Sequence, residues 1–159
     1  VKDKKIMFAG KVIGIYISPK RGEPTTAVEQ IYVVPGKGIR GDRYFRQIEN
    51  GEMHSKSGQE ITLIEIEAIS ALLDENIRVT PDQIRRNIIT QGVRLNDLVG
   101  CVFSVGNIHL RGIRLCEPCN YLASLTDTRV LTGLKHRGGL RAEIITEGFI
   151  NINDSITSI

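Results

Sequence analysis

The sequence predicts a mainly β protein, a barrel with a few short helices, and three observations carry that prediction. Aromatic residues make up only 5% of the 159 and Trp is absent, so the core falls to Ile, Val and Leu, a set rich in strand-favouring β-branched side chains. Short apolar runs recur between Gly, Pro and Asn turns, the signature of many short strands. Helical periodicity is confined to brief segments with no regular strand–helix alternation, which argues against a parallel α/β sheet.

Taken in order, KVIGIYIS (residues 11–18) alternates apolar with small or polar residues and reads as a first strand. PKRGEPTTA follows as a turn or hairpin loop, with two prolines and a glycine. EQIYVV (29–34) is a second strand stopped by Pro35, and PGKGIRGDR is a glycine loop. RQIENGEMHSKSGQ (46–59) is polar and irregular, a surface loop. EITLI (60–64) reads as a strand. EIEAISALLD (65–74) places Ile66, Ile69, Leu72 and Leu73 at helical spacing, so a helix packed on the barrel is expected.

Thr80-Pro81 has the form of a helix start, with Thr80 as N-cap and Pro81 at the first position, leading through a short helical turn into NIIT (87–90). The second half is more clearly β. Strands are expected over 99–105, 108–115, 140–145 and 149–156, with Gly106-Asn107 as a tight turn. The intervening CEPCNYLASLTDTRVLTGLKHRGG holds one or two short helices. Neither a repeat nor a linker interrupts the pattern, so one domain over 1–159 is expected, with its core at about 11–156.

Apolar residues at 41% and charged residues at 25% fit a folded globular chain. The net charge of +3 is unevenly spread, basic over residues 1–46 and acidic over 47–76. Arginines beside glycines in GIRGDR and HRGGLR, and the arginine pair of IRRN, suit the grip of a small anion such as phosphate. For His136, Arg137 and Arg141 of the last motif, solvated surface is the favoured reading, with Gly138-Gly139 a turn into the next strand. Basic and aromatic residues do not interleave along any element, so nucleic acid is not an expected partner. VKDKKIMFAG lacks the apolar run of a leader, and no stretch of 18 apolar residues exists. The expectation is a cytoplasmic protein with no membrane partner.

Three cysteines argue against a disulfide scaffold. Two of them form Cys116-Glu117-Pro118-Cys119, directly after a strand and before an apolar helical stretch. A structural zinc ion needs about four ligands, and Cys101 with three scattered histidines makes no second pair, so zinc is not expected. A thioredoxin-like pair belongs in an α/β fold, which the β pattern does not match. The third reading is a single reactive thiolate at Cys119, holding a sulfur atom or a soft metal centre. Pro118 stiffens the loop ahead of it, and the start of a helix at NYLASL suits a negative charge there. Cys101 reads as a packed thiol.

The order GIRGDR, ITLI with its helix, RRNIITQGVRLNDLVG, a strand pair ending in CEPC, and RGGLRAEIITEGFININD resembles the MOSC domain, named for the C-terminal part of molybdenum cofactor sulfurase. The likeness runs over nearly the whole chain, and its strength lies in the co-linear order of motifs that are individually weak. It implies a pyruvate-kinase-barrel-like β-barrel that binds the molybdenum cofactor (molybdopterin), with Cys119 as catalytic residue and metal ligand. It further implies that Arg85 and Asn87 contact the pterin and its phosphate, and that Lys37, Arg40 and Arg43 hold an anion near the pocket's start. Ser57 falls where the amidoxime-reducing relatives carry an Asp near the metal, and Tyr44 follows Gly-Asp-Arg where relatives often have His. In such a protein the work is either that of a small oxidoreductase acting on N-hydroxylated or oxo compounds, with a separate electron donor, or that of a cofactor carrier. The alternative is a sulfur carrier, with Cys119 taking a persulfide from a pyridoxal-phosphate cysteine desulfurase.

Overall fold

A computed structural model of the chain describes residues 9–45 and 60–159. Seven strands close into a barrel. In spatial order these are β1 (Ala9–Ile17), β11 (Ser155–Ser158), β7 (Val102–Val105), β8 (Ile108–Leu115), β9 (Leu140–Ile144), β5 (Ile61–Glu65) and β6 (Ile88–Gln91), and β6 pairs back onto β1. Every neighbouring pair is antiparallel except β5 and β6, which run parallel. That parallel pair needs a crossover, and α1 (Ile66–Asp74) begins it. The short β2 (Thr26–Ala27) extends the far end of β1. A second, three-stranded sheet joins β10 (Gly148–Asn151), β3 (Gln30–Val34) and β4 (Gly38–Ile39).

Two apolar clusters hold these layers. One fills the barrel with side chains such as Val12, Leu63, Ile88, Phe103, Leu110 and Leu140. The other lies outside the barrel wall, where Ile64 and Ile89 meet Leu72 of α1, Leu122 of α2 (Asn120–Leu125) and Val130 of α3 (Val130–Gly133). Successive strand residues point to opposite faces, so Leu63/Ile64 and Ile88/Ile89 each supply one side chain to either cluster. Strands covered on both faces must be apolar at consecutive positions, which explains why ITLI and NIIT do not alternate.

The mainly β expectation holds, with corrections in detail. The expected helix after Thr80 is a single turn. Gln83 N and Ile84 N both donate to Thr80 O, but Arg85 then swings to φ +61° and no second turn follows. The strand expected over 149–156 is two strands, β10 and β11, because Asn153 at φ +72° turns the chain between them. The stretch from 99 to 105 pairs continuously only from Val102, after a 3-10 turn at Leu95–Leu98. On α1 the buried face is Ala68, Ile69 and Leu72, whereas Leu73 is 56% exposed. The glycine loop after Pro35 contains β4, too short to carry any pattern.

Gly139 shows how tightly β9 is seated. It has φ +111°, and a Cβ there would lie 2.0 Å from Leu63 O of β5. Gly139→Ala is expected to cost about 3 kcal/mol or more, from backbone strain and overpacking together. A urea titration reads this directly, and a loss under 1 kcal/mol would show that β9 can slide away from β5.

Glu60 ties the two sheets together. Its Oε1 accepts from Gly36 N at 2.8 Å, in the turn between β3 and β4, and from Ile144 N of β9 at 3.5 Å. Burial raises its pKa above the ordinary 4.5, against the lowering pull of those two amides. A raised carboxyl means that the fold favours the protonated form. The contribution to stability is therefore full below about 4.5 and is lost as pH rises through the folded value. Glu60→Gln keeps the acceptor and discards the charge. The variant is expected to melt above the wild type at pH 7, with the gap closing below 4.5. A gap independent of pH would remove Glu60 as its source.

Candidate functional site

A cleft of about 130 Å³ opens where the cysteine loop, the turn before β6 and the loop after β4 converge. Its walls include Arg43, Arg85, Arg141, Asn87, Cys119 and Tyr121.

The cysteine loop is held from behind. Cys116 N donates to Gly139 O at 2.7 Å, and a Cβ on Gly138 would lie 2.2 Å from Cys116 O and 3.2 Å from Pro118 Cδ. Gly138-Gly139 is thus a close-packing device as well as a turn. The Arg86 guanidinium, 8% exposed, donates from Nε to Gly138 O at 2.9 Å, from Nη2 to Cys116 O at 3.1 Å and from Nη1 to Ile84 O at 3.3 Å. Behind this clamp Cys116 is 2% exposed, while Cys119 is exposed and N-caps α2, its carbonyl accepting from Ala123 N. Both are free thiols.

Arg85 is the chemically distinctive residue. Its left-handed backbone is uncommon for a side chain of its size, and such conformations gather at functional sites. The turn aims the guanidinium across the cleft, where Nη1 donates to Glu23 O at 2.8 Å and Cζ lies 6.0 Å from the Tyr121 ring centre. Nη2 is buried and has no hydrogen-bond partner among the described residues. A buried cationic donor left unmet is costly, and an anion in the cleft would meet it. Arg43 enters from the loop after β4, with Cζ 4.3 Å from the Tyr44 ring.

Asn87 lines the cleft but is engaged in the framework. Its Oδ1 accepts from Thr62 N and Thr62 Oγ1, both at 3.1 Å, and Nδ2 donates to Tyr16 O at 3.1 Å. It staples β5 to β1 at the point where the β5–β6 ladder starts. Arg141 stands opposite Thr62 across the β5–β9 pair. Its sequence reading as solvated surface gives way to a place in the cleft wall.

The remaining candidates lie elsewhere. Lys37 sits in the turn between β3 and β4, and Arg40 covers the Tyr32 ring at 4.2 Å; neither lines the cleft. Ser57 and His54 fall outside the described residues. His136 and Arg137 border a separate cleft with Glu65 and Arg94, and His136 Nδ1 lies 3.2 Å from Glu117 Oε2. Sequence reasoning missed Thr62 and Tyr121, and it read Arg86 with Arg85 as suited to an anion, whereas Arg86 is spent on the Gly138 and Cys116 carbonyls.

A closed barrel bearing a thiol and convergent arginines at one cleft defines the class. The MOSC-domain family matches residues 50–157, more than half of the chain, and the chain belongs to that family. MOSC domains are associated with the molybdenum cofactor. The YuaD protein of Bacillus subtilis shares the fold at a TM-score of 0.81, with 18% identity over 98% of this chain and 99% of that one. The YiiM proteins of Geobacillus stearothermophilus and Escherichia coli align at TM-scores of 0.68 and 0.64, with 13% and 15% identity. These alignments cover 94% and 97% of this chain, and 75% and 70% of those. No curated protein sequence matches the chain.

Proposed function

We propose that this protein binds the molybdenum cofactor in the Arg43–Arg85–Arg141 cleft, with Cys119 as the thiolate ligand of the metal and Arg85 as the principal phosphate donor. The observation that supports this most is the buried, unmet Nη2 of Arg85 in the same cleft as an exposed thiol. The donor set fits the group. A thiolate is a soft ligand suited to a metal already bound by sulfur, and a guanidinium fork matches phosphate oxygens.

When bound, the cofactor supplies a redox-active metal able to take an oxygen atom from an N-hydroxylated or oxo compound. The chain's own residues bind and orient. Arg85 and Arg43 neutralise the anionic end, Asn87 and Thr62 fix the floor, and Arg86 holds the cysteine loop in register. The exposure of Cys119 also favours a second reading, a sulfur carrier loaded by a cysteine desulfurase, for which the arginines have no evident use.

The test is metal content in protein purified anaerobically from cofactor-replete cells. Wild type is expected to carry near-stoichiometric molybdenum or tungsten. Arg85→Ala is expected to lose about tenfold or more in cofactor affinity, since a charge-assisted bond is worth about 1.5–3 kcal/mol. Unchanged affinity in Arg85→Ala would count against the phosphate assignment.

A further inference from the structure

The two arginines bonded to the loop between β1 and β2 share one buried hub. Ser18, with no exposed surface, closes β1 and donates its hydroxyl to Lys20 O at 2.8 Å and Glu23 O at 3.2 Å, which folds residues 19–25 into a compact strap. Its backbone serves the other side: Ser18 N donates to Asp42 Oδ1 at 2.9 Å, and Ser18 O accepts from Arg43 N at 2.8 Å. The strap's far end returns to the cleft, because Glu23 O accepts from Arg85 Nη1 and Thr25 Oγ1 donates to Asp82 O at 2.5 Å. Tyr121 closes the gap, its hydroxyl lying 3.7 Å from where a Cβ on Gly22 would stand.

From this wiring we propose that Ser18 is a positioning residue for the cleft, and that the order of the 19–25 strap is coupled to anion occupancy between Arg43 and Arg85. The coupling follows from shared groups. Arg85 uses one guanidinium nitrogen to latch the strap and has the other for an anion. An anion that fixes Arg85 therefore fixes the latch, and a strap held by Ser18 pre-orients Arg85 for the anion. Such linkage is reciprocal, so loosening the strap weakens anion binding by the same factor that anion binding tightens the strap. The inference rests on the anion-binding reading of the cleft.

The experiment is hydrogen exchange by mass spectrometry on the intact chain, with pyrophosphate as the probe and chloride at equal ionic strength as the control. Wild type is expected to bind pyrophosphate, and the amides of Lys20, Arg21, Gly22, Glu23 and Thr25, the non-proline residues of the strap, to exchange about tenfold more slowly when it is bound. Ser18→Ala, which removes no cleft-facing group, is expected to exchange faster in the strap when free and to bind pyrophosphate about tenfold more weakly. Arg85→Lys keeps a charge in the cleft, but one ammonium replaces the fork. It is expected to retain weakened binding without strap protection, and adding Ser18→Ala is expected to cost little more. Pyrophosphate binding with unchanged strap exchange would overturn the coupling and leave the cleft reading standing. No pyrophosphate binding would overturn both.

Discussion

Cys119→Ser is expected to abolish bound molybdenum without any loss of fold stability. A serine hydroxyl is a hard donor that does not ionise at neutral pH, so it replaces neither the softness nor the charge of a thiolate. The fold has little to lose, because Cys119 is exposed and its side chain makes no capping hydrogen bond to α2. Serine is among the favoured N-cap residues and would add a fraction of a kcal/mol there, about 0.5. Elemental analysis and intact mass on anaerobically prepared wild type and variant read the outcome. Metal retained by Cys119→Ser would remove the thiol from the ligand set. A sulfur-sized mass increment on wild-type Cys119, with no metal in either protein, would select the sulfur carrier and end the reductase reading.

The barrel was legible in the sequence because each wall strand buries at least one face. β9 alternates throughout and β8 does so as far as the bulge at Gly112/Arg114, while the doubly covered β5 and β6 carry consecutive buried apolar residues at Leu63-Ile64 and Ile88-Ile89. Boundaries failed where a single residue with positive φ turned the chain, at Arg85 and Asn153. Neither is a glycine, and although Asn153 is of a residue type that tolerates this conformation, nothing in the sequence marks Arg85. Within the site, Cys119 was legible through its spacing and its proline, and Arg85 and Asn87 through their motif. The structure separates these last two. Arg85 carries the unmet donor, whereas Asn87 is engaged with Thr62 and Tyr16. Arg141 joins the cleft only because β9 pairs with β5 in the register that sets it opposite Thr62, a long-range fact that no local pattern contains. Lys37 is separated from Arg43 by β4, and Arg40, which follows β4 directly, lies over the Tyr32 ring instead of the cleft.

Arg86→Met is expected to be the most destabilising single change at the site, by about 3–5 kcal/mol, because it strands buried carbonyls of Gly138, Cys116 and Ile84 without a donor. Met matches the length of the aliphatic stem and keeps packing losses small, so most of the effect is polar. Arg86→Lys is expected to recover part of the loss, since an ammonium is a point charge and cannot reproduce the fork. A urea titration measures the cost, and alkylation mapped by mass spectrometry locates it. In wild type, Cys119 should react quickly and Cys116, 2% exposed, hardly at all. In Arg86→Met the rate at Cys116 should rise towards that at Cys119, because the Cys116 carbonyl is one of the clamp's own acceptors. If stability falls but Cys116 stays protected, the Gly139 hydrogen bond and the Gly138 contact hold the loop without the arginine. Arg86 would then serve the barrel alone. If both change together, the buried arginine beside Arg85 sets the position of the cysteine loop, and the consecutive arginines of IRRN divide the work: one faces the ligand, the other holds the loop that carries the thiol.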